Sequence, residues 1–399
     1  MNILFIANRF PYPPYRGDKL KIFNLAKRLC VNHRLFLLTF IQDKKDIVHL
    51  PELRKYFDKI ETIYLPKYLS TLKCAVNVLS SKPYQILYFS TKKFKNLVDR
   101  FVCENKTDII HTQHLRMSQY TYDIKNIKRI LDLPDAYSLY WERRAKLNRN
   151  IFIKLFDRIE YKKVMRYESI INEFDLNLVC SEEDKVFLTK AHKTKNIEIL
   201  PNGVDLSIFD NMSHDYDDPD DIIIFTGNMD YSPNIDAVVY FVEEVFPLIL
   251  SKFPKIKFHI VGQKPVKKVL NLQSENVIIK GFIEDIASEY NKSTVAISPV
   301  RIGAGTLNKV LEPMAVGVPV VSTKVGFKGL GISSGEGAIL ADDKFQFANA
   351  VIKLLGDKEY RREVGIKGKL KVSQQYSWDT ISYLLEKYCL DLCTQHLPI

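Results

Sequence analysis

Two doubly wound α/β domains are what this sequence predicts, on three observations. At 399 residues the chain exceeds the roughly 250–300 residues at which single hydrophobic cores stop growing. It opens as strand, loop, helix, strand, the start of a doubly wound parallel sheet. After an acidic linker near residue 210 the same order begins again, now with strands that end in glycine.

In the first domain, NILFIA is a continuous apolar run, as suits a strand buried on both faces. RFPYPPYRGDK follows as a loop with three prolines and Gly17. Gly17 lets a phosphate approach the backbone closely, or simply makes a turn. LKIFNLAKRLC carries Leu20, Ile22, Phe23, Leu25, Ala26 and Leu29 at helical spacing, and RLFLLTF is the next strand. No G-x-G-x-x-G string is present, which counts against a nicotinamide or flavin dinucleotide enzyme. Between Leu65 and Phe94, Leu72, Ala75, Val76 and Leu79 share one helical face beside Lys67 and Lys73. That pattern suits a membrane interface, and equally an internal helical hairpin. TDIIHTQH, KRILDLPDA and LNLVCS are three further strands with polar C-terminal ends. Ligands of open α/β sheets bind at that edge, which makes Gln113, His114 and Asp135 cleft candidates, or strand-end caps.

IEILPNGVD closes this domain, at about residue 210, and NMSHDYDDPDD is the linker. Its Asp218, Pro219 and Asp220 look like a metal-binding DxD element. They precede a strand instead of ending one, and so read as solvated linker. The second domain, residues 211–375, starts with IIIFTG, the loop GNMDYSPN and a helix through Val238, Phe241, Val245 and Leu248. KFHIVG, NVIIKG and VAISPV are its next strands, so Gly227, Gly262 and Gly281 gather at one sheet edge. RIGAGT then turns on Gly303 and Gly305 into a helix with Leu307, Val310, Leu311 and Met314 on one face. Gly317 ends it and VPVVST resumes the sheet. A glycine loop opening a helix presents free N–H groups and the positive dipole end, an anion site suited to phosphate. Arg301 and Lys309 can neutralise phosphate. Glu312, two turns in, either accepts hydrogen bonds from sugar hydroxyls or faces solvent. Residues 376–399 form a last amphipathic helix, with Trp378 as its anchor.

Composition is that of an ordinary globular protein, 46% hydrophobic and 26% charged. No apolar run reaches the length of a membrane span, and MNILFIANRF reads as a strand, not a signal peptide. Six cysteines without a CxxC pair point to a reduced, cytosolic chain. Residues 1–200 hold 37 Lys and Arg against 22 Asp and Glu, whereas the remainder is net acidic. A basic first domain favours an anionic partner, a membrane leaflet above all. No nucleic-acid reader motif accompanies it.

The strings GNMDYSPNIDAVVYF, FHIVG, GFIED, RIGAGTLNKVLEPMAVGVPVVST and LPNGVD resemble the nucleotide-sugar domain of glycosyltransferase family 4, which has the GT-B fold. RFPYPPYRGDK, IIHTQHLRMSQY and LDLPDAYSLYWERRA resemble its bacterial exopolysaccharide subset. The resemblance implies two Rossmann-like domains facing across a cleft, acceptor domain first, with the C-terminal helix crossing back to it. It implies that Glu312 holds the donor's ribose and that Gly303, Gly305 and Thr306, flanked by Ala304 and Leu307, cradle the diphosphate. Gly17 approaches that diphosphate, while Gly262, Lys280 and Gly281 wall the base.

The chain departs from the family pattern in three respects. Ala304 stands where a second Glu is usual. Asn228 and Asn234 replace the Arg and Lys after the domain's first strand, which leaves Arg301 and Lys309 as substitute cations. Gln113, flanked by His111 and His114, falls where a cleft histidine is common. The implied activity is retaining transfer of a sugar from a nucleotide-diphosphate sugar to a glycan or polyprenyl-diphosphate-linked acceptor, without metal or other cofactor. Its place is the cytoplasmic face of a bacterial membrane. The departures also motivate an alternative, a non-catalytic GT-B subunit, and a nucleotide-sugar epimerase on the same fold is a third option.

Overall fold

The computed structural model describes residues 1–147, 150–209, 214–217, 220–302 and 308–394. The chain folds into two compact units. The first is Met1–Pro201 together with Ile381–Ile399, and the second is Asn202–Thr380.

Seven parallel strands form the first unit's sheet: β1 (Asn2–Ala7), β2 (Arg34–Ile41), β3 (Lys59–Tyr64), β4 (Ile109–Gln113), β5 (Lys128–Leu133), β6 (Leu176–Val179) and β7 (Ile197–Ile199). Their order is β3-β2-β1-β4-β5-β6-β7. The direction of winding reverses between β1 and β4, and in such sheets a crevice opens there at the strands' C-terminal ends. Four helices of this unit matter below: α1 (Gly17–Leu29), α2 (Lys67–Val76), α3 (Tyr137–Leu147) and α4 (Ile151–Glu168). The weakly patterned 65–94 stretch is α2, a short helix at Tyr84–Tyr88 and the start of a longer one.

β8 (Asp220–Thr226), β9 (Lys257–Val261), β10 (Val277–Gly281), β11 (Ser293–Ser298), β12 (Val320–Ser322) and β13 (Ala338–Leu340) make the second sheet, in the order β10-β9-β8-β11-β12-β13. Alternate residues serve opposite faces. Ile223, Phe225, Val295 and Ile297 join one core and Ile224 and Ala296 the other, so the strands read as unbroken apolar runs. Here the switch lies between β8 and β11.

α5 (Ser232–Tyr240) follows β8, α6 (Asn308–Val316) follows β11, and α7 (Lys358–Gln375) packs against α6. The single helix expected from Ile235 to Phe253 is interrupted. After α5 comes a wider π-type turn at Phe241–Val245, then a short helix from Phe246. Pro247, with no N–H and a ring that clashes one turn back, explains the break. α8 (Trp378–Thr394) begins in the second unit and continues in the first. Its Trp378 lies against Gly203, where a Cβ would come within 2.7 Å of the indole, and Val204 N–H donates to Tyr376 O at 2.7 Å. Within the first unit, α8 is held by Glu386 on His33 at 2.8 Å and by the Tyr388 hydroxyl on Ile199 O at 3.2 Å. β3 and β13 were not legible in the sequence; both are short or partly exposed strands.

Candidate functional site

At the C-terminal edge of the second sheet, backbones approach one another more closely than side chains permit. Gly262 N–H donates to Gly281 O at 2.7 Å, and Gly227 N–H to Val261 O at 3.0 Å. A Cβ on Gly262 would stand 1.7 Å from the Gly227 carbonyl oxygen. Gly281 has φ +68° and open space where its side chain would be, so there it is the left-handed backbone that asks for glycine. The three glycine-ended strands are direct neighbours, and α6 enters at the switch beside them.

Two ionisable side chains of α6 reach this edge. Lys309 Nζ hydrogen-bonds Asn234 Oδ1 and lies 4.6 Å from the Phe225 ring centroid, next to Gly227. Burial pulls its pKa down to about 7, against the attraction of Glu312. Glu312 Oε2 accepts from the Tyr290 hydroxyl at 3.0 Å, and Tyr290 is bonded at 2.7 Å to Thr226 Oγ1 on β8. Burial lifts the Glu312 carboxyl to about 7, although Tyr290, Asn308 and Lys309 all favour its charged form. A cation and a carboxyl, three apart on one helix and both poised near neutrality, thus stand at the glycine edge. Perturbed groups of this kind concentrate at functional sites.

Asn234 and Asn228 belong to the same assembly. Asn234 Nδ2 donates to Asn228 O at 2.9 Å while its Oδ1 receives Lys309, so one amide fixes both the loop after β8 and the lysine's head. Lys309 therefore stands beside the two positions where the family pattern has cations. Arg301 is engaged within the second unit. It makes a two-pronged pair with Asp236 of α5, at 2.9 and 2.6 Å, and lies 4.4 Å from the Tyr240 ring centroid. Lys280 pairs with Glu289 at 2.7 Å. Gly303, Ala304, Gly305, Thr306 and Leu307, with Asp218 and Pro219, lie outside the described residues.

In the first unit, the edge at the β1/β4 switch holds a network of charged and polar groups. Gly17 is the exposed first residue of α1, whose N-cap residue Arg16 makes no side-chain capping bond. Asp18 Oδ2 accepts from Arg9 at 2.6 Å. Burial opposes its charge, but Arg9, Arg16 and Arg116 outweigh burial and hold the carboxyl below its usual range. Gln113 donates to Asp18 O at 2.7 Å, so that end of its amide is engaged within the unit. His114 has φ +81° and its Nε2 lies 2.9 Å from an Arg116 nitrogen; burial and Arg116 keep the ring neutral. Asp135 is carried up to about 7, by burial first and then by Asp184.

Sequence reasoning missed Arg116, which is buried and faces the Tyr137 and Phe89 rings. It also missed the fully buried pair of Lys21 and Asp132, 2.7 Å apart, with Lys21 also donating to Leu200 O at 2.9 Å. Lys21 interrupts an apolar helix face, the one signal that could have flagged it. His111, on the same strand as Gln113, lies 3.5 Å from Asp132, and burial lowers its pKa to about 4. Among the described residues no group of three or more His, Cys, Asp or Glu is placed to hold a metal ion, and no helix is long and apolar enough to cross a membrane.

Comparison with known proteins adds three findings. Residues 220–357, most of the second unit, match the family model described as Glycosyl transferases group 1. The chain is 22% identical over 391 residues to an uncharacterized 44.6 kDa protein in the cps region of Klebsiella pneumoniae, covering 94% of this chain and 96% of that one. It is 23% identical over 216 residues to the capsular polysaccharide biosynthesis glycosyltransferase CapM of Staphylococcus aureus, covering 52% and 55%. Among solved structures, sucrose-phosphate synthase from Thermosynechococcus elongatus superposes with TM-score 0.73 at 17% identity, covering 98% of this chain and 99% of that one. HepE of Anabaena, solved in complex with UDP, gives 0.67 at 15%, covering 98% and 100%. The fold is GT-B, with two doubly wound α/β domains.

Proposed function

We propose that this chain is a retaining glycosyltransferase. It moves a sugar from a nucleotide-diphosphate sugar to a glycan or polyprenyl-diphosphate-linked acceptor in the synthesis of a bacterial surface polysaccharide. The observation that carries the reading is the pairing of Lys309 and Glu312 on α6 at the glycine-lined switch of the second sheet. The group 1 glycosyltransferase match over this same unit, and the capsule-region relatives, support it.

In this reading the base rests against the wall made by Gly262 and Gly281, and Glu312 accepts hydrogen bonds from the ribose hydroxyls. Tyr290 and Thr226 hold the carboxyl in place for that task. Lys309, pinned by Asn234, meets the diphosphate. A lysine near neutrality takes up a proton as the diphosphate arrives, because the anion favours its charged form. It then stabilises the negative charge that grows on the leaving group, so this reading calls for no metal ion. The acceptor hydroxyl attacks on the face the diphosphate leaves, and the leaving phosphate oxygen takes its proton. We place the protein in the cytoplasm, peripheral to the inner face of the cell membrane, on the strength of its basic amino half.

A thermal-shift screen with UDP, GDP, ADP and dTDP tests the site first. A matching nucleotide at about 100 times its dissociation constant stabilises by about 2.7 kcal/mol. Lys309→Ala and Glu312→Ala should each remove about 2–4 kcal/mol of binding or transition-state stabilisation and abolish transfer while the fold survives. Full nucleotide shifts and full transfer in both variants would overturn the reading, and product analysis by NMR separates transfer from epimerisation.

A further inference from the structure

α4 is amphipathic in the wrong sense for a core helix. Its inward face carries Asp157, Glu160 and Glu168, all buried, beside one buried apolar side chain, Val164. Arg144 lies 3.2 Å from Asp157, Tyr84 N–H donates to Glu160 at 2.9 Å, and Tyr137 N–H to Glu168 at 2.8 Å. Its outward face carries Phe152, Leu155, Phe156 and Ile159, at i, i+3, i+4 and i+7, and Phe152 is 81% exposed. The same stripe continues along the helix as Lys162, Lys163 and Arg166. One solvent-facing line thus passes from apolar to cationic.

α2 repeats the inversion. It buries only Ser70 and Cys74 and exposes Tyr68, Leu69, Leu72 and Val76, and Leu79 just beyond it is 96% exposed. α4 is tied to the segment just beyond α2, since Lys163 Nζ donates to Val78 O at 3.1 Å. Beside that bond, Lys82, Lys163 and Arg166 line a pocket of about 520 Å³ whose one acid, Glu173, is paired with Lys125 at 2.6 Å. Burying apolar side chains is worth about 1.5–3 kcal/mol each, so a surface exposing this many beside one another has a partner.

We propose that this face of the first unit docks onto an anionic lipid leaflet. The apolar side chains of α2 and α4 enter the headgroup and acyl boundary, and Lys82, Lys163 and Arg166 hold lipid phosphate. Charge selects this occupant over a second copy of the chain. Lys163 has Glu160 of α4 at 3.6 Å, but Lys162 and Arg166 stand exposed on the stripe and call for an acidic counterpart from outside. The inference deepens the membrane placement given above. Vesicle binding reads independently of nucleotide binding, so either reading can fail alone.

Flotation of the full chain with vesicles tests it, comparing phosphatidylcholine alone with the same lipid containing ~30% phosphatidylglycerol at low salt. The wild type should bind the anionic vesicles at least tenfold better. The double variant Phe152→Gln/Leu155→Gln should bind them about tenfold more weakly, with an unchanged thermal melt. Lys162→Gln/Arg166→Gln should lose most of the preference for anionic lipid, at about fivefold per cation. Absence of wild-type binding, or equal binding by the first double variant, overturns the proposal. A dimer that the same double variant dissolves overturns it too, in favour of self-association.

Discussion

The two sheets end at equivalent switch points, and their edges are built by different means. In the second unit the edge is made by backbone. Gly227, Gly262 and Gly281 let three strand ends close up, and a single turn of α6 supplies both ionisable groups. In the first unit the edge is made by side chains drawn from four separate segments, with Arg9, Asp18, Arg116 and Asp135 compensating one another's charge around a neutral His114. At its closest approach, Gly262 against Gly227, a backbone-built edge tolerates no added atom, whereas an ion network tolerates exchange as long as its charges balance.

The sharpest way to break this contrast is a methyl group. Gly262→Ala puts a Cβ 1.7 Å from a carbonyl oxygen, so it should cost about 3 kcal/mol or more in urea unfolding. Gly281→Ala meets open space and should cost only its left-handed backbone, about 1 kcal/mol. Equal costs at the two glycines would mean that the close approach is not what the second edge depends on.

A smaller effect follows from titration. Lys309 loses its proton and Glu312 its charge on opposite sides of about pH 7. Affinity for the nucleotide-diphosphate sugar, measured by calorimetry from pH 5.5 to 8.5, should therefore peak near neutrality and fall roughly tenfold per pH unit on each flank at most. Glu312→Gln should remove the acid flank and leave the alkaline one.

A further effect belongs to the first unit. The Asp135 carboxyl is raised from 3.8 to about 7, so any stability it adds is complete below its unfolded pKa and lost as pH rises through about 7. Asp135→Asn should flatten that loss and raise stability at pH 8 by up to about 4 kcal/mol in urea unfolding, since each tenfold change in proton affinity is worth about 1.4 kcal/mol. An unchanged pH dependence would show that the rest of the first edge sets it.

What was legible follows the same division. The glycine-ended strands and α6 could be read because each is a local pattern, a run of apolar residues closed by one small residue. Partners distant in sequence could not. Arg301 shows the cost of that: nothing in RIGAGT tells that Asp236 stands ready to receive it. Asn234 looked like a missing cation, and in the structure it is the group that holds one in place. The exposed face of α2 was visible as spacing, but its continuation on α4 was not, because periodicity does not say which side of a helix turns inward.

The division of the chain has a consequence for its synthesis. The second unit is one uninterrupted stretch, while the first needs Ile381 onward to be complete. As the chain leaves the ribosome, the amino half must therefore wait, with its surface for α8 uncovered, until the whole carboxyl half has been made. A fragment of residues 202–380 has all of its unit, and one ending at residue 201 does not.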